Sequence, residues 1–145
     1  KRATAEITRL GRSRMWQEAI AVFAEIEEPD AACTTAALDA CAKSLRLNVA
    51  SKIFEEMPRK TVAAYNVIIA LLGRLRRVDD AERALTEMQQ HGLAPNIITY
   101  TSIVDGYGMV QDANAVLDVR KRVQAVGLRE SPVFFGAAIA ACAKG

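Results

Sequence analysis

The sequence predicts an all-α fold, an α-solenoid of stacked helix-turn-helix repeats, on three observations. Landmark residues recur at regular steps. Phe23, Phe54 and Leu85 are 31 positions apart, and later landmarks recur every 35 positions. The string Ala-Cys-Ala-Lys at 40–43 returns at 141–144. Of the 145 residues, 51% are hydrophobic and only 6% aromatic, which suits closely packed helices. Units of this length cannot bury their own apolar face, so they stack on their neighbours.

The unit 62–96 shows the repeat most clearly. Apolar residues crowd its first half, and their breadth suits a helix that is packed on both sides. Asp79, with Glu82 three residues later, predicts the N-cap and capping box of a second helix. Gly92 predicts the end of that helix, and Pro95 keeps it from resuming. The same reading divides the whole chain into the units 1–30, 31–61, 62–96, 97–131 and 132–145.

The units differ in length and in the way they end. The first two are four residues shorter than the next two, lack the Gly-x-x-Pro exit, and close with Pro29 and Pro58. Ser131 predicts an N-cap and Pro132 the first helical residue of the fifth unit. Because that unit stops at Gly145, midway through its pattern, we expect residues 1–145 to be a fragment of a longer array.

Composition and motifs argue against several classes of function. The net charge is +2, which neither demands nor excludes a polyanionic partner. The three cysteines form no C-x-x-C pair, and Cys41 and Cys142 share one repeat position, as small buried residues in a reducing compartment would. No apolar run reaches the length of a membrane span, and His91 is the single histidine. We therefore expect no catalytic site, metal, cofactor, membrane or small-molecule substrate.

Several strings resemble the pentatricopeptide repeat, a 35-residue helical hairpin. They are YNVII at 65–69 and GLAPN at 92–96, while TYTSIVDG at 99–106 opens a second such unit. The unit 31–61 resembles the 31-residue short variant of this family and 97–131 its long variant, so the chain looks like the subclass that mixes variants. The resemblance implies a right-handed α-solenoid. The 34-residue period of tetratricopeptide repeats gives neither 31 nor 35.

By this resemblance the chain binds single-stranded RNA, one base per unit, through two side chains per unit. The resemblance assigns base reading to four pairs: Thr4 with Asp30, Thr35 with Thr61, Asn66 with Asn96, and Thr101 with Ser131. The two amides offer donors and acceptors, so the third pair is interpreted as selecting C or U. The carboxylate of Asp30 accepts only, which suits the N–H donors of guanine. The second pair has no clear preference, and Thr101 suggests a purine. The alternative for each residue is a helix cap or a solvated loop position.

Two further sets of residues are expected along the RNA path. Arg12, Lys43, Arg74 and Lys144 share one repeat position, interrupted only by Met109, and would form a basic stripe beside the phosphates. Cations also favour helix C-termini for electrostatic reasons, so the coincidence has a structural alternative. The resemblance assigns base stacking to Ala63, Ile98 and Val133. Only Ile98 and Val133 are good apolar wedges, so we expect weak stacking in the N-terminal half.

The chain is thus expected to be an RNA-binding segment of a repeat array that acts in organellar RNA editing, processing, stabilisation or translation. The resemblance implies a mitochondrial or chloroplast location, with other RNA-processing proteins as further partners. Any catalytic domain would lie outside residues 1–145. The rival hypothesis is a protein-interaction scaffold, since arrays of helical hairpins also bind proteins.

Overall fold

A computed structural model describes residues 2–128 and 132–144, and this part of the chain forms nine α-helices and no strand. The helices are α1 (Arg2–Arg12), α2 (Trp16–Ala24), α3 (Ala31–Lys43), α4 (Leu47–Glu56), α5 (Val62–Arg74), α6 (Val78–Gln90), α7 (Ile97–Met109), α8 (Ala113–Ala125) and α9 (Pro132–Lys144). None of these helices is long and apolar enough to cross a membrane.

The helices form two layers. The odd-numbered helices pack directly against one another in chain order. Within the described residues, the backbone of each even-numbered helix lies close only to the odd-numbered helices before and after it. In a solenoid, the layer whose helices are in mutual contact is expected on the concave side. We call the odd-numbered helices the inner layer and the even-numbered helices the outer layer. The inner layer therefore lines the groove in which a ligand of a solenoid binds.

The core repeats with the sequence. One set of equivalent positions in the inner helices is fully buried: Ile7, Leu38, Ile69 and Val104. An equivalent set in the outer helices is also buried, with alanine in three units and valine in the fourth: Ala19, Ala50, Ala81 and Val116. The small side chains let the outer helices lie close to the inner ones. Each hairpin thus buries its apolar faces against its neighbours, as the repeat spacing predicts.

Each described hairpin turns through a residue in the left-handed region of backbone space. These residues, with φ between 56° and 63°, are Arg14, Leu45, Arg76 and Gln111. In the third hairpin, the Arg77 N–H then donates to the Leu72 carbonyl at 2.8 Å, which closes a Schellman-type turn. Gly92 and Gly127 adopt the same conformation at the ends of α6 and α8, as the sequence predicts for Gly92.

The predicted start of α6 is wrong. This helix begins at Val78 with Arg77 as its N-cap, and no side chain caps it. The turn through Arg76 fixes Arg77 as the entry residue, so Asp79 falls inside the first turn, where its charge favours the helix dipole. Asp80, rather than Glu82, bonds back to the N-cap residue, accepting from Arg77 Nε at 2.8 Å.

Glycines allow the closest approach within the inner layer. A Cβ atom added to Gly73 of α5 would lie 3.2 Å from the Gly106 Cα of α7, and one added to Gly106 would lie 3.1 Å from the Gly73 Cα. Any side chain larger than hydrogen would therefore push α5 and α7 apart. At the junction of α1 and α3, a Cβ on Gly11 would lie 2.9 Å from the Ala40 Cβ.

Candidate nucleic-acid interface

The third pair of predicted base-reading residues meets at the edge where the inner helices begin. Asn66 lies in the second turn of α5, and Asn96 is the N-cap of α7, 30 positions later. The Asn66 Nδ2 atom donates to the Asn96 Oδ1 atom at 3.3 Å. Both side chains are half-buried, so they are held by the protein and still reach solvent. Two hairpins thus contribute to a single polar site.

The Asn96 side chain also caps α7, which fixes the direction of its amide. Its Oδ1 atom accepts the backbone N–H of Thr99 at 3.1 Å, so this atom must be the oxygen and not the nitrogen. The Thr99 side chain accepts in return from the Asn96 backbone N–H at 3.2 Å, which completes a capping box. The structural alternative of a helix cap therefore applies to Asn96, and only the oxygen of its amide is used in the cap.

The other pairs differ from this arrangement. Thr35 and Thr101 donate their hydroxyls to their own helices, to the carbonyls of Ala31 and Ile97, both at 2.7 Å. Because that proton is already committed, each hydroxyl offers a base only acceptor lone pairs.

Asp30 and Thr61 are the N-caps of α3 and α5. They accept the backbone N–H groups of Cys33 at 2.7 Å and Ala64 at 3.2 Å. No hydrogen bond joins Thr4 to Asp30 or Thr35 to Thr61 in the described part of the chain, and Ser131 lies outside it. Base reading by these pairs stays a prediction, and a capping role is present at both Asp30 and Thr61.

Two of the predicted stacking residues, Ala63 and Ile98, have side chains that the structure describes, and both are exposed. Ile98, the second residue of α7, is 60% exposed, which is unusual for a large aliphatic side chain. Ala63 occupies the equivalent place in α5 and is also exposed. The side chain of Val133 lies outside the described residues. An exposed isoleucine two residues from Asn96 provides an apolar surface at the polar site.

The predicted basic stripe coincides with the far ends of the inner helices. Arg12, Lys43, Arg74 and Lys144 are the last residues of α1, α3, α5 and α9. Arg12 and Arg74 are exposed, and neither forms an ion pair within the described residues. Lys43 forms an ion pair with Asp39 on the same helix at 2.5 Å, which reduces the charge it offers. The side chain of Lys144 lies outside the described residues.

Arg74 and Met109, which hold the same repeat position in α5 and α7, line one depression of about 300 Å³ between these helices. Equivalent positions of successive hairpins are therefore neighbours on the inner layer. This adjacency is what a continuous stripe requires, and Met109 is an uncharged gap in it.

One prediction about the outer layer is wrong. The family resemblance places Arg120, Lys121 and Arg122 on an outer helix, and from this we predict that all three are solvated. Instead the Arg122 guanidinium forms a bidentate ion pair with Glu82 of α6, at 2.9 and 3.3 Å. This ion pair ties the outer helices α6 and α8 together. Burial and the negative charge of Glu82 raise the pKa of Tyr107, in the inner helix α7, to about 12.

Sequence reasoning missed Thr99, the fully buried residue beneath the third pair. Its hydroxyl donates to the Asn66 Oδ1 atom, so it contacts both amides. The available signal was its position three residues after an asparagine that precedes an apolar run, which is a capping-box spacing.

Two further groups in the described part of the chain bear on the chemistry of this surface. The described residues contain no group of three His, Cys, Asp or Glu side chains that could hold a metal ion. Burial raises the pKa of the Cys41 thiol to about 11, so the reactive thiolate is strongly disfavoured. The groups at the predicted site are an amide pair, an exposed apolar side chain and arginines at helix ends, and such groups can bind a polar ligand.

Fold and site together define a helical-repeat protein whose inner layer presents equivalent side chains in register. Family models agree, since the PPR repeat family matches residues 60–109 and the PPR repeat matches residues 33–62. The chain belongs to the pentatricopeptide repeat family.

Individual relatives carry the same family name. The chain is 30% identical over 126 residues to the chloroplastic pentatricopeptide repeat-containing protein At3g09650 of Arabidopsis thaliana, covering 79% of this chain and 16% of that protein. It is 43% identical over 42 residues to the mitochondrial At2g13420 of the same plant, covering 29% of this chain and 8% of that one. The chain therefore spans only a small part of the length of these relatives.

A solved structure has the same fold. The crystal structure of the pentatricopeptide repeat protein PPR10 in complex with an 18-nt psaJ RNA element superposes with a TM-score of 0.87, at 23% identity, over 96% of this chain and 22% of PPR10. The predicted all-α solenoid is confirmed by this similarity.

Proposed function

We propose that this chain binds single-stranded RNA in the groove of its inner layer, with about one base per hairpin. The bound RNA would be an organellar transcript, in the chloroplast or the mitochondrion, since relatives with either label match the chain. Its mechanism is positional, because the array occupies or presents a short single-stranded site for editing, processing, stabilisation or translation. Any catalysis belongs to other domains or to partner proteins.

The contact between Asn66 and Asn96 carries this proposal. Two amides from different hairpins meet at 3.3 Å on the edge of the groove, and both retain hydrogen-bonding groups directed to solvent. The side chain of Ile98, two residues after Asn96, is exposed and offers a surface on which a base can stack. Hydrogen-bonding groups beside an apolar surface match the two properties of an unpaired base, its polar edge and its flat face.

The position of Arg74 supports a role beside the RNA phosphates. Arg74 ends α5, eight residues beyond Asn66, which corresponds to about 12 Å along a helix. Bases at one end of the inner helices and phosphates toward the other are compatible with a strand that crosses successive hairpins. The similarity to PPR10, whose crystal structure holds an RNA element, also supports this arrangement.

Substituting Asn96 tests the base-reading role. A carboxylate accepts but does not donate, so Asn96→Asp favours uracil, which has an N3–H donor, over cytosine, whose N3 is an acceptor. The full-length protein is first offered single-stranded RNA oligonucleotides with a randomised window, which identifies its preferred sequence. Binding is then measured with oligonucleotides that differ only at the base opposite the third hairpin. We expect Asn96→Asp to shift the preference at this base toward U and to leave the other positions unchanged.

Gln90→Glu is the matched control, because it makes the same change from amide to carboxylate at an exposed residue of α6 in the outer layer. It should leave the base preference unchanged. If the unsubstituted protein binds no RNA, or binds it with equal affinity whatever the base opposite the third hairpin, the RNA-reading proposal is wrong and the scaffold hypothesis gains.

Substituting Arg74 tests the phosphate role. Removal of one phosphate contact should weaken all RNA sequences alike and lower the slope of log K against log salt by about 0.7. Arg83→Ala removes a cation from the outer helix α6, where the side chain is 84% exposed, and should leave that slope unchanged. Equal slopes for Arg74→Ala and the unsubstituted protein would remove Arg74 from the RNA path.

A further inference from the structure

A buried hydroxyl lies beneath the third base-reading pair. Thr99 of α7 is fully buried, and its Oγ1 atom contacts three polar groups. It accepts the Asn96 backbone N–H at 3.2 Å, lies 3.1 Å from the Asn96 Oδ1 atom, and contacts the Asn66 Oδ1 atom more closely still. A hydroxyl has one proton, so it can donate fully to only one of the two amide oxygens.

The remaining hydrogen bonds decide where this proton goes. The Asn96 Oδ1 atom already accepts from the Thr99 backbone N–H at 3.1 Å and from Asn66 Nδ2 at 3.3 Å. The Asn66 Oδ1 atom has no other donor within the described residues, and two oxygens in such close contact repel unless a proton lies between them. The Thr99 hydroxyl therefore donates to Asn66, and four hydrogen bonds close a ring through Asn66, Asn96 and Thr99.

The ring fixes which end of each amide faces the groove. If the Asn66 amide were flipped, its oxygen would face the Asn96 Oδ1 atom with no proton between them. In the observed orientation, both hydrogens of Asn96 Nδ2 and one hydrogen of Asn66 Nδ2 remain for a ligand. The pair thus presents mainly N–H donors, which match the acceptor atoms on the edge of a pyrimidine.

We infer that Thr99, although it belongs to the fourth hairpin, is a positioning residue for base recognition by the third. It acts through Asn66, whose amide it holds in the donor-presenting orientation. The inference rests on the proposed RNA-binding function and adds to it a residue outside the pair. Its consequence is that the specificity of one hairpin depends on the third residue of the next.

The other junctions lack this device. The residues equivalent to Thr99 are Cys33 in α3 and Ala64 in α5, and neither has a hydroxyl. The second pair has Ala64 at this position. In that pair the Thr35 hydroxyl donates to the Ala31 carbonyl and the Thr61 hydroxyl accepts the Ala64 N–H, so the two hydroxyls are not bonded to each other. Within the described residues, the third pair is therefore the one that is oriented by a hydroxyl from the next helix.

The test compares Thr99→Val, which removes the hydroxyl and keeps the side-chain shape, with Thr99→Ser, which keeps the hydroxyl. The full-length protein is titrated with single-stranded RNA oligonucleotides that carry each of the four bases opposite the third hairpin. Loss of one orienting hydrogen bond should reduce the discrimination between pyrimidines and purines at this base roughly fivefold in Thr99→Val. Thr99→Ser should restore it. Discrimination opposite the first and second hairpins should not change in either variant.

The measured quantity is a ratio of affinities, which a purely structural role of Thr99 would leave unchanged. Thr86→Val is the control, because the Thr86 hydroxyl donates to its own helix α6, to the Glu82 carbonyl at 3.1 Å, in the outer layer. If Thr99→Val does not fold, Thr99→Ala replaces it. Both variants keep the backbone N–H at residue 99 that donates to the Asn96 Oδ1 atom.

Two failures can be told apart. If the unsubstituted protein discriminates among bases at this position and Thr99→Val discriminates equally well, the inference is overturned and the proposed function stands. If the unsubstituted protein binds no RNA or shows no discrimination there, the proposed function fails and the inference falls with it.

Discussion

Two junctions of the inner layer use the same repeat differently. Between α5 and α7, Gly73 faces Gly106, and the backbones come so close that an added Cβ would lie 3.1–3.2 Å from the opposite Cα. Between α3 and α5, the equivalent positions hold Ala42 and Leu71, and these two helices pack less extensively. The junction with a large side chain at this repeat position is therefore the less extensively packed one. We call it the wider junction, and the junction of α5 with α7 the narrower one.

The comparison teaches that the spacing of successive hairpins is set locally. The solenoid has one topology, but glycine or leucine at the tenth residue of a unit decides how closely that unit approaches the one before it. Since neighbouring units are proposed to read neighbouring bases, the spacing of base-reading sites varies along the groove with these residues. Base specificity and the spacing of the hairpins then depend on different positions of the same helix, such as Asn66 and Leu71 in α5.

The largest expected effect is at Leu71, which is fully buried at the wider junction. Leu71→Ala removes the side chain that separates α3 from α5, and the resulting cavity should lower the free energy of unfolding by about 2–5 kcal/mol. Partial collapse of the two helices toward the glycine-like spacing would place the cost near the lower bound. Urea titration followed by circular dichroism measures this loss.

Leu117→Ala on α8 is the control, because this leucine is 48% exposed. It should change the free energy of unfolding much less, by about 0.5 kcal/mol or less. Equal losses in the two variants would show that Leu71 has no special role at its junction.

The narrower junction, between α5 and α7, is tested by adding a side chain instead of removing one. Gly106→Ala places a Cβ 3.1 Å from the Gly73 Cα and 3.2 Å from the Val78 Cγ1 atom. Overpacking against a backbone should exceed the gain in helix propensity, so the expected net loss of stability is about 1–2 kcal/mol. Differential scanning calorimetry would record this as a lower Tm.

Gly136→Ala is the control, because it separates the effect of close packing from the effect of helix propensity. Gly136 lies within α9, and a Cβ added there meets no atom within 4 Å. The same substitution should therefore stabilise the chain, by up to about 1 kcal/mol, because alanine is the better helix former. If Gly106→Ala also stabilises, the two glycines at the narrow junction are not needed for close approach.

The sequence predicts much of this architecture, because the fold depends on positions that recur. Apolar residues at equivalent positions, such as Ile69 and Val104, predict the packed faces of the helices, and Gly92 predicts the end of α6. The start of α6 was predicted wrongly, because a left-handed turn at Arg76 rather than an acidic cap sets it. Such turns leave no composition signal when the residue is not glycine.

The candidate site was predicted in part. The family resemblance assigned Asn66 and Asn96 to one pair, and the structure contains a contact between them, while their role in base reading stays a prediction. The role of Thr99 was not predicted, because which oxygen receives a hydroxyl proton depends on distances between side chains. The ion pair between Glu82 and Arg122 has the same origin, since its partners lie 40 positions apart. Periodicity predicts neighbours, and side-chain geometry decides what they do.

The smallest expected effect is a difference between the caps at the two junctions. Asn96 accepts hydrogen bonds from Thr99 and from Asn66, whereas Thr61 accepts one, from the Ala64 backbone N–H at 3.2 Å. Asn96→Ala leaves more donors without partners than Thr61→Ala does. Loss of an N-cap costs about 0.5–2 kcal/mol, so we expect Asn96→Ala near the upper bound and Thr61→Ala near the lower one.

The two variants can be compared by urea titration under identical conditions, and the difference between their midpoints is the informative quantity. Thr99→Val is an intermediate case. It removes the hydrogen bond from the Asn96 backbone N–H to the Thr99 hydroxyl, while the Asn96 Oδ1 atom still accepts the backbone N–H of residue 99. Its stability should therefore fall between those of the unsubstituted chain and Asn96→Ala. Should Thr61→Ala prove as costly as Asn96→Ala, the ring of hydrogen bonds contributes no stability beyond an ordinary cap, and its effect would be confined to orienting the amides.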